Sequence, residues 1–101
     1  MIAGEAYLDL GRIEQPLFVR ARRPGDRFRP LGGPGTKRLK DFLQEQRVPA
    51  AERGRLPLVV MGDRILWVGG LRPAEAFRVT EGTDRVLHLR LLPLSPSGLE
   101  N

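Results

Sequence analysis

A segment dense in chain-breaking residues divides this sequence. Residues 22–35 contain three prolines and four glycines. Proline fixes φ and lacks an amide hydrogen, and glycine weakens both helices and strands, so neither regular structure can run through such a segment. We therefore predict one long loop here, with regular elements on both sides of it.

The positive charge of the chain is concentrated in and just after this loop. Residues 20–40 hold eight of the seventeen basic residues and one acid, Asp26, which gives +7; the other nine basic and eleven acidic residues give −2, for a total of +5. A local charge excess of this kind indicates a polyanionic partner. We predict a binding surface formed by Arg20, Arg22, Arg23, Arg27, Arg29, Lys37, Arg38 and Lys40.

Strands are predicted on both sides of the loop. Residues 6–10 and 15–20 alternate in polarity, which predicts a first hairpin with its turn near Gly11. Residues 58–61 and 65–68 are apolar and β-branched around Gly62 and Asp63, which predicts a second hairpin. Residues 85–92 alternate as a last strand with one solvent face, and a helical turn is expected over residues 73–76.

A helix is predicted over residues 37–46. Leu39, Phe42 and Leu43 lie on one helical face, Thr36 suits the N-cap position, and Pro49 ends the helix. One further helical turn is expected over residues 50–53. The chain is therefore expected to be an α+β domain with antiparallel hairpins and one main amphipathic helix.

The predicted helix places Lys37, Arg38 and Lys40 in its first turn. The helix macrodipole disfavours cations there by a few tenths of a kcal/mol each. This placement favours a role in binding over a role in stability.

Size and composition limit what else the chain can do. A chain of 101 residues has room for one modest core, so we expect a single domain over residues 1–93 and a flexible tail over residues 94–101. The absence of cysteine excludes disulfides and thiol catalysis, and a single histidine, His88, argues against a zinc site. No apolar run approaches the roughly 20 residues of a membrane span, and we expect a cytoplasmic protein.

The glycines of the loop have two explanations. They can simply turn the chain, or their backbone can approach a phosphate near the helix N-terminus, with Gly25, Asp26, Gly35 and Thr36 shaping the loop. The spacing matches neither the Walker pattern nor the dinucleotide pattern, so we expect no cofactor in this chain.

Four side chains have more than one possible role. We expect Asp26 to make a turn or to pair with a neighbouring arginine. Trp67 is interpreted as a core residue, and His88 as a surface or half-buried strand residue. Phe28, inside the basic loop, is a better candidate than Trp67 for stacking on a nucleic-acid base, although stacking is the less favoured of its possible roles.

The sequence also resembles a known family over residues 20–80. The strings RRPGDRFRPLG, GTKRLKDFL and ILWVGGLR are similar to the carboxy-terminal domain of tRNA(Ile)-lysidine synthetase, which joins lysine to a cytidine of an isoleucine tRNA. The resemblance rests on Arg23, Pro24, Gly25, Asp26, Arg27, Gly35, Lys37, Leu39, Lys40, Val48, Pro49, Arg53, Pro57, Trp67, Val68 and Gly70. Where the family usually has two lysines, this chain has Lys37 and Arg38.

This resemblance implies a fold and a role. The fold is a small α+β unit similar to a domain of the phenylalanyl-tRNA synthetase β subunit. The role is to hold tRNA(Ile), mainly by its acceptor stem, while an amino-terminal catalytic domain with an SGGxDS-type loop, absent here, uses ATP and Mg²⁺. The chain alone is then expected to catalyse nothing.

Two alternatives stay open. The basic surface can instead meet an acidic protein partner, including the rest of its own enzyme. The domain can also form a homodimer, on which the sequence is silent.

Overall fold

Short strands and helical turns alternate along residues 4–92, the part of the chain that this computed structural model describes. The strands are β1 Glu5–Asp9, β2 Phe18–Arg20, β3 Arg27–Phe28, β4 Lys37–Arg38, β5 Leu58–Met61, β6 Arg64–Val68 and β7 Val86–Arg90. The α-helices are α1 Leu39–Glu45 and α2 Ala50–Arg53, and 3₁₀ turns form at Leu10–Arg12 and Glu75–Phe77. This is the predicted α+β fold class.

The strands form three small antiparallel sheets. β1 pairs with β7, β2 and β6 flank β5 in a three-stranded sheet, and β3 pairs with β4 over two residues. The register shifts between Val59 and Val60, where the β5–β6 pairing is irregular.

The main core lies where α1 and the β5–β6 hairpin meet. Leu39, Phe42 and Leu43 of α1 are buried, as is every residue of β5 and residues 65–68 of β6. Phe77 from the second 3₁₀ turn and Leu8 from β1 join the same cluster. Within residues 4–92 no polar or charged residue is buried, so the core is built from apolar and aromatic side chains.

Several predictions from the sequence are confirmed. The β5–β6 hairpin turns at Gly62 and Asp63, and α2 forms directly after Pro49. β7 has one exposed face, and Trp67 is buried at 3% exposure. The predicted tail over residues 94–101 lies outside the described residues.

His88 lies on the outer face of β7, as predicted, but it has partners that the sequence did not reveal. Its Nε2 atom lies 2.6 Å from Oε1 of Glu5 on β1, and its ring stacks on Tyr7 with 4.5 Å between centroids. Glu5 and Tyr7 are more than eighty residues away in sequence, and only the β1–β7 pairing brings them to His88.

The predicted amino-terminal hairpin is wrong. β1 pairs with β7, placing Ala6 opposite Leu89 and Leu8 opposite Leu87, so that these four apolar residues share one face. After β1 the chain enters the 3₁₀ turn, because the Asp9 carboxylate accepts the Gly11 N–H at 3.0 Å. β2 is thereby left to pair with β5 instead.

The predicted start of the helix is also wrong. Lys37 and Arg38 are extended and pair with β3, and the Leu39 N–H donates to the Asp26 carbonyl at 2.8 Å. The helix therefore begins at Leu39, Arg38 occupies the N-cap position without a side-chain cap, and Thr36 is not the cap. Pairing with a distant strand has overridden the local capping signal.

Candidate nucleic-acid interface

The basic loop is built on a tight turn at residues 23–26. The Asp26 N–H donates to the Arg23 carbonyl at 3.2 Å, with Pro24 and Gly25 in the two central positions. Gly25 has a φ of +88°, which a type II turn requires at its third residue and which other residues reach only with strain. The turn fixes the direction in which the neighbouring arginines leave the backbone.

Asp26 ties this turn to β2. Its two carboxylate oxygens accept bonds from the Arg20 guanidinium at 2.9 and 3.0 Å, and Oδ2 also accepts the Arg23 N–H at 2.7 Å. The side-chain bond from Arg20 lowers the pKa of Asp26 against the opposing effect of burial, and the bond from the Arg23 N–H lowers it further. The same pairing raises the pKa of Arg20. The interpretation of Asp26 as a turn and pairing residue is therefore correct.

The ion pair with Asp26 gives Arg20 a structural role. Its side chain is only 16% exposed, and its guanidinium also donates to the Ala21 carbonyl. A contact between Arg20 and a phosphate stays a prediction. In such a contact the phosphate would have to share the guanidinium N–H groups of Arg20 with the Asp26 carboxylate.

Four of the predicted cations meet around one small depression. Arg22 and Arg23, at the turn, and Arg38 and Lys40, at the β4–α1 junction, line a depression of about 70 Å³, with Gly25 and Asp26 also in the lining. All four residues are exposed. We call these four side chains the clamp surface.

Most of the clamp surface is not neutralised by neighbouring acids. Among residues 4–92, no ion pair engages Arg22, Arg23 or Lys40, whereas Arg38 pairs with Asp41 at 3.0 Å. A cluster of exposed cations with few ion pairs attracts an anion through the field that the cations share.

The β3–β4 ladder adds a fifth cation beside the clamp surface. Arg27 lies directly opposite Arg38 and both are exposed. Like charges directly opposite each other in a ladder are unfavourable by up to about 1 kcal/mol. Because this pair of arginines does not stabilise the fold, its position favours a role in binding an anion across the ladder.

The other face of the ladder belongs to the interior. Phe28 is 5% exposed and packs edge-on against Phe42 with 5.0 Å between ring centroids, so it is a core residue and the less favoured role of stacking on a base is wrong. Lys37, opposite Phe28, pairs with Glu45 at 2.7 Å. Lys37 is thus held against α1, away from the clamp surface.

A second basic surface lines a larger cleft of about 620 Å³. Arg27 and Arg29 contribute to it from the predicted set, together with Thr36, and Arg64 and Arg78 come from distant parts of the chain. Charge counting missed Arg64 and Arg78, because the chain outside residues 20–40 has a net charge of −2 and only the fold brings them to this cleft.

Because α1 begins at Leu39, the basic residues near it differ in their distance from its N-terminus. Lys40 lies in the first turn of α1 and Arg38 at its N-cap, so the unfavourable effect of the macrodipole applies to these two cations and not to Lys37. Gly35 lies in the bend before β4, and Thr36 faces the cleft and not the helix end.

Residues 4–92 contain no group of three or more histidine, cysteine, aspartate or glutamate side chains placed to hold a metal ion. None of the helices described is long and apolar enough to cross a membrane.

The fold and these surfaces define a class of protein. It is a small α+β domain whose turns present clustered, exposed arginines at the surface. The family model described as "TilS substrate C-terminal domain" matches residues 17–91. The chain belongs to this family, as the resemblance in its sequence indicated.

Curated relatives agree with this assignment. The tRNA(Ile)-lysidine synthase of Caldanaerobacter subterraneus subsp. tengcongensis is 43% identical over 81 residues, which cover 80% of this chain and 17% of that relative. The tRNA(Ile)-lysidine synthase of Symbiobacterium thermophilum is 47% identical over 79 residues, 78% of this chain and 16% of that relative. The chain thus corresponds to one domain of such a synthase and not to the whole enzyme.

Solved structures show the same fold. A crystal structure of a TilS C-terminal domain, 34% identical, superposes with a TM-score of 0.71 over 92% of this chain and 75% of that one. An N-terminal fragment of the phenylalanyl-tRNA synthetase β subunit from Pyrococcus horikoshii, 22% identical, reaches 0.65 over 83% of this chain and 26% of that one. The second likeness concerns the fold alone.

Proposed function

We propose that this domain binds tRNA(Ile) by docking onto the acceptor stem, as part of a tRNA(Ile)-lysidine synthase. The observation that carries the proposal is the clamp surface, where Arg22, Arg23, Arg38 and Lys40 meet on a rigid turn and ladder. The family membership supports tRNA as the anion.

The chemistry of the clamp surface suits the backbone of an RNA duplex. A-form RNA exposes phosphates and 2′-hydroxyl groups but hides most base edges in a deep, narrow major groove. Guanidinium groups bind phosphate oxygens in a bidentate manner, which fixes orientation without reading sequence. The clamp surface would therefore position the stem, and the identity of the tRNA would be read elsewhere.

The remaining partners follow from this role. The domain would work beside an amino-terminal catalytic part of the same polypeptide, where ATP and Mg²⁺ are used, and its setting would be the cytoplasm. The domain would hold the substrate for a reaction that takes place at that other site.

A salt titration of RNA binding tests the proposal. If the clamp surface neutralises about four phosphates, affinity for an acceptor-stem hairpin of tRNA(Ile) should fall about a hundredfold between 50 and 200 mM salt. Arg23→Ala should weaken binding and reduce the slope of log affinity against log salt by about one. Fluorescence anisotropy of a labelled hairpin measures both quantities.

Arg85→Ala is the matched control, because Arg85 is also an exposed arginine but lies outside both basic surfaces. It should leave the affinity close to that of the unmodified chain. Binding without salt dependence, or equal effects of the two substitutions, would contradict the proposal and leave an acidic protein partner as the better explanation.

A further inference from the structure

The 620 Å³ cleft differs from the clamp surface in size and in rigidity. Its volume is comparable to that of a small-molecule site, whereas the depression of the clamp surface measures only about 70 Å³. Its walls are joined by backbone bonds, with the Glu75 N–H donating to the Arg29 carbonyl at 2.9 Å and the Ala74 N–H to the Leu66 carbonyl at 2.8 Å. The cleft is therefore a preformed feature of the fold.

Three arginines supply donors for phosphate oxygens at this cleft. Arg27 is exposed and has no ion pair within residues 4–92. The Arg29 Nε–H donates to the Gly33 carbonyl at 3.1 Å. This bond holds the side chain in place and leaves its two terminal nitrogens available to a ligand. Arg78 is anchored by Glu75 at 3.0 Å and is still 48% exposed.

A fourth arginine offers a flat surface. The guanidinium carbon of Arg64 lies 4.8 Å from the centre of the Phe77 ring, and Phe77 itself is 1% exposed. Arg64 therefore covers the ring on one side and, being exposed, can present the opposite guanidinium face to the cleft. Guanidinium planes stack on unpaired nucleobases in the same way.

Carboxylates make the cleft unsuited to phosphate alone. Asp63 and Glu75 line it as well, and Glu75 is fixed by the Gly32 N–H at 3.0 Å, a bond that lowers the pKa of its carboxyl group. A carboxylate repels a phosphate but accepts hydrogen bonds from the amino group of a base. Such amino groups become accessible when a nucleotide leaves the duplex.

We infer that the cleft binds an unpaired nucleotide of the RNA that the clamp surface holds, with the base stacked on Arg64 and the phosphate held by Arg27, Arg29 and Arg78. The inference rests on the proposed function, since it needs RNA on the neighbouring surface. Arg27 borders both surfaces and gives the strand a continuous path from the clamp surface into the cleft.

Two hairpin RNAs of identical stem test the inference, one blunt and one with a single-stranded extension of four nucleotides. We expect the extended RNA to bind about tenfold more tightly, which is within the usual effect of one base stacking on a side chain. Arg64→Lys keeps the charge and an aliphatic stem over Phe77 but removes the plane. It should remove most of the advantage of the extended RNA, since only the phosphate contacts of Arg27, Arg29 and Arg78 remain, and it should leave blunt binding unchanged.

Arg23→Ala is the control, because it should weaken the binding of both RNAs by the same factor. Equal affinity of the unmodified chain for the two RNAs, or an Arg64→Lys chain that keeps the full advantage of the extension, would overturn the inference while the docking proposal stands. If neither RNA bound, both the docking proposal and this inference would be overturned. Arg78→Ala gives a second measurement, in which a loss confined to the extended RNA is expected.

Discussion

Asp26 determines the shape of the basic loop at the scale of a single residue. Its carboxylate holds the Arg20 side chain and the Arg23 N–H at once, and its carbonyl accepts the N–H of Leu39, the first residue of α1. One residue thus connects β2, the turn and the start of α1. The position of the clamp surface depends on these bonds.

The lowered pKa of Asp26 makes a prediction about acid stability. A carboxylate whose pKa is lower in the folded than in the unfolded chain stabilises the fold fully above its unfolded value, here 3.8, and this contribution is lost as the pH falls through the folded value. Asp26→Asn should lower the free energy of unfolding at pH 7 by about 1–3 kcal/mol. It should also flatten the loss of stability below about pH 4, as urea unfolding at a series of pH values would show.

Glu14→Gln serves as the control, because Glu14 is an exposed carboxylate in the loop after the first 3₁₀ turn. It should change the free energy of unfolding by less than about 0.5 kcal/mol at pH 7. If Asp26→Asn left the acid limb as steep as before, the coupling of Asp26 to Arg20 would be refuted.

Phe28 shows where prediction from sequence fails for a single residue. The composition of the loop indicated that this ring could be exposed, but the side of a strand on which a residue falls depends on the partner strand. β3 pairs with β4, so alternation sends Arg27 outward and Phe28 inward to Phe42. The loop sequence does not contain that information.

At the scale of elements, the two-residue ladder between β3 and β4 decides where α1 begins. Thr36 satisfies the sequence preference for an N-cap, yet its side chain lies at the cleft and caps no helix. Removing its hydroxyl should therefore have little effect on α1.

Thr36→Ala tests the corrected helix start. Loss of a true threonine cap typically lowers stability by about 1 kcal/mol, whereas an exposed substitution usually stays within about 0.5 kcal/mol. We expect the smaller value from chemical denaturation followed by the fluorescence of Trp67, which is buried in the folded chain.

Thr83→Ala is the matched comparison. The Thr83 hydroxyl accepts the Thr80 N–H at 2.9 Å and lies 3.2 Å from the Asp9 carboxylate, so its removal should destabilise the fold by about 1 kcal/mol. A Thr36→Ala chain that lost as much as the Thr83→Ala chain would argue that Thr36 does cap the helix.

Elements with local partners could be predicted, and elements with distant partners could not. The β5–β6 hairpin closes over Gly62 and Asp63, so pattern and turn lie within one short segment. β1 and β2 were recognised as strands, but their true partners are β7 and β5, far along the chain. Alternation reveals a strand and a buried face, but it does not identify the partner strand.

At the scale of the whole molecule, the candidate site shows the same division. The clamp surface could be predicted because its charge excess is concentrated within twenty-one residues of sequence. The cleft could not, because it combines Arg27 and Arg29 with Arg64 and Arg78, and the latter two belong to a part of the chain whose net charge is negative. The cleft exists only because the β5–β6 hairpin and the second 3₁₀ turn pack against β3 in the folded domain.

The part of the chain before the family match also belongs to the fold. The match begins at residue 17, yet β1 precedes it and pairs along its whole length with β7. Leu8 is fully buried in the main core. We therefore expect β1 to contribute to the stability of the entire domain, including the surfaces that lie far from it.

Leu8→Ala measures that contribution. Truncation of a buried leucine leaves a cavity and lowers the free energy of unfolding by about 2–5 kcal/mol, which for a domain of this size lowers the melting temperature by on the order of 10 °C or more. Val86 lies on the exposed face of β7, the strand that pairs with β1, so Val86→Ala should lower the free energy of unfolding far less. If both substitutions had the same small effect while RNA binding persisted, β1 would be an accessory to this domain and the core would be complete without it.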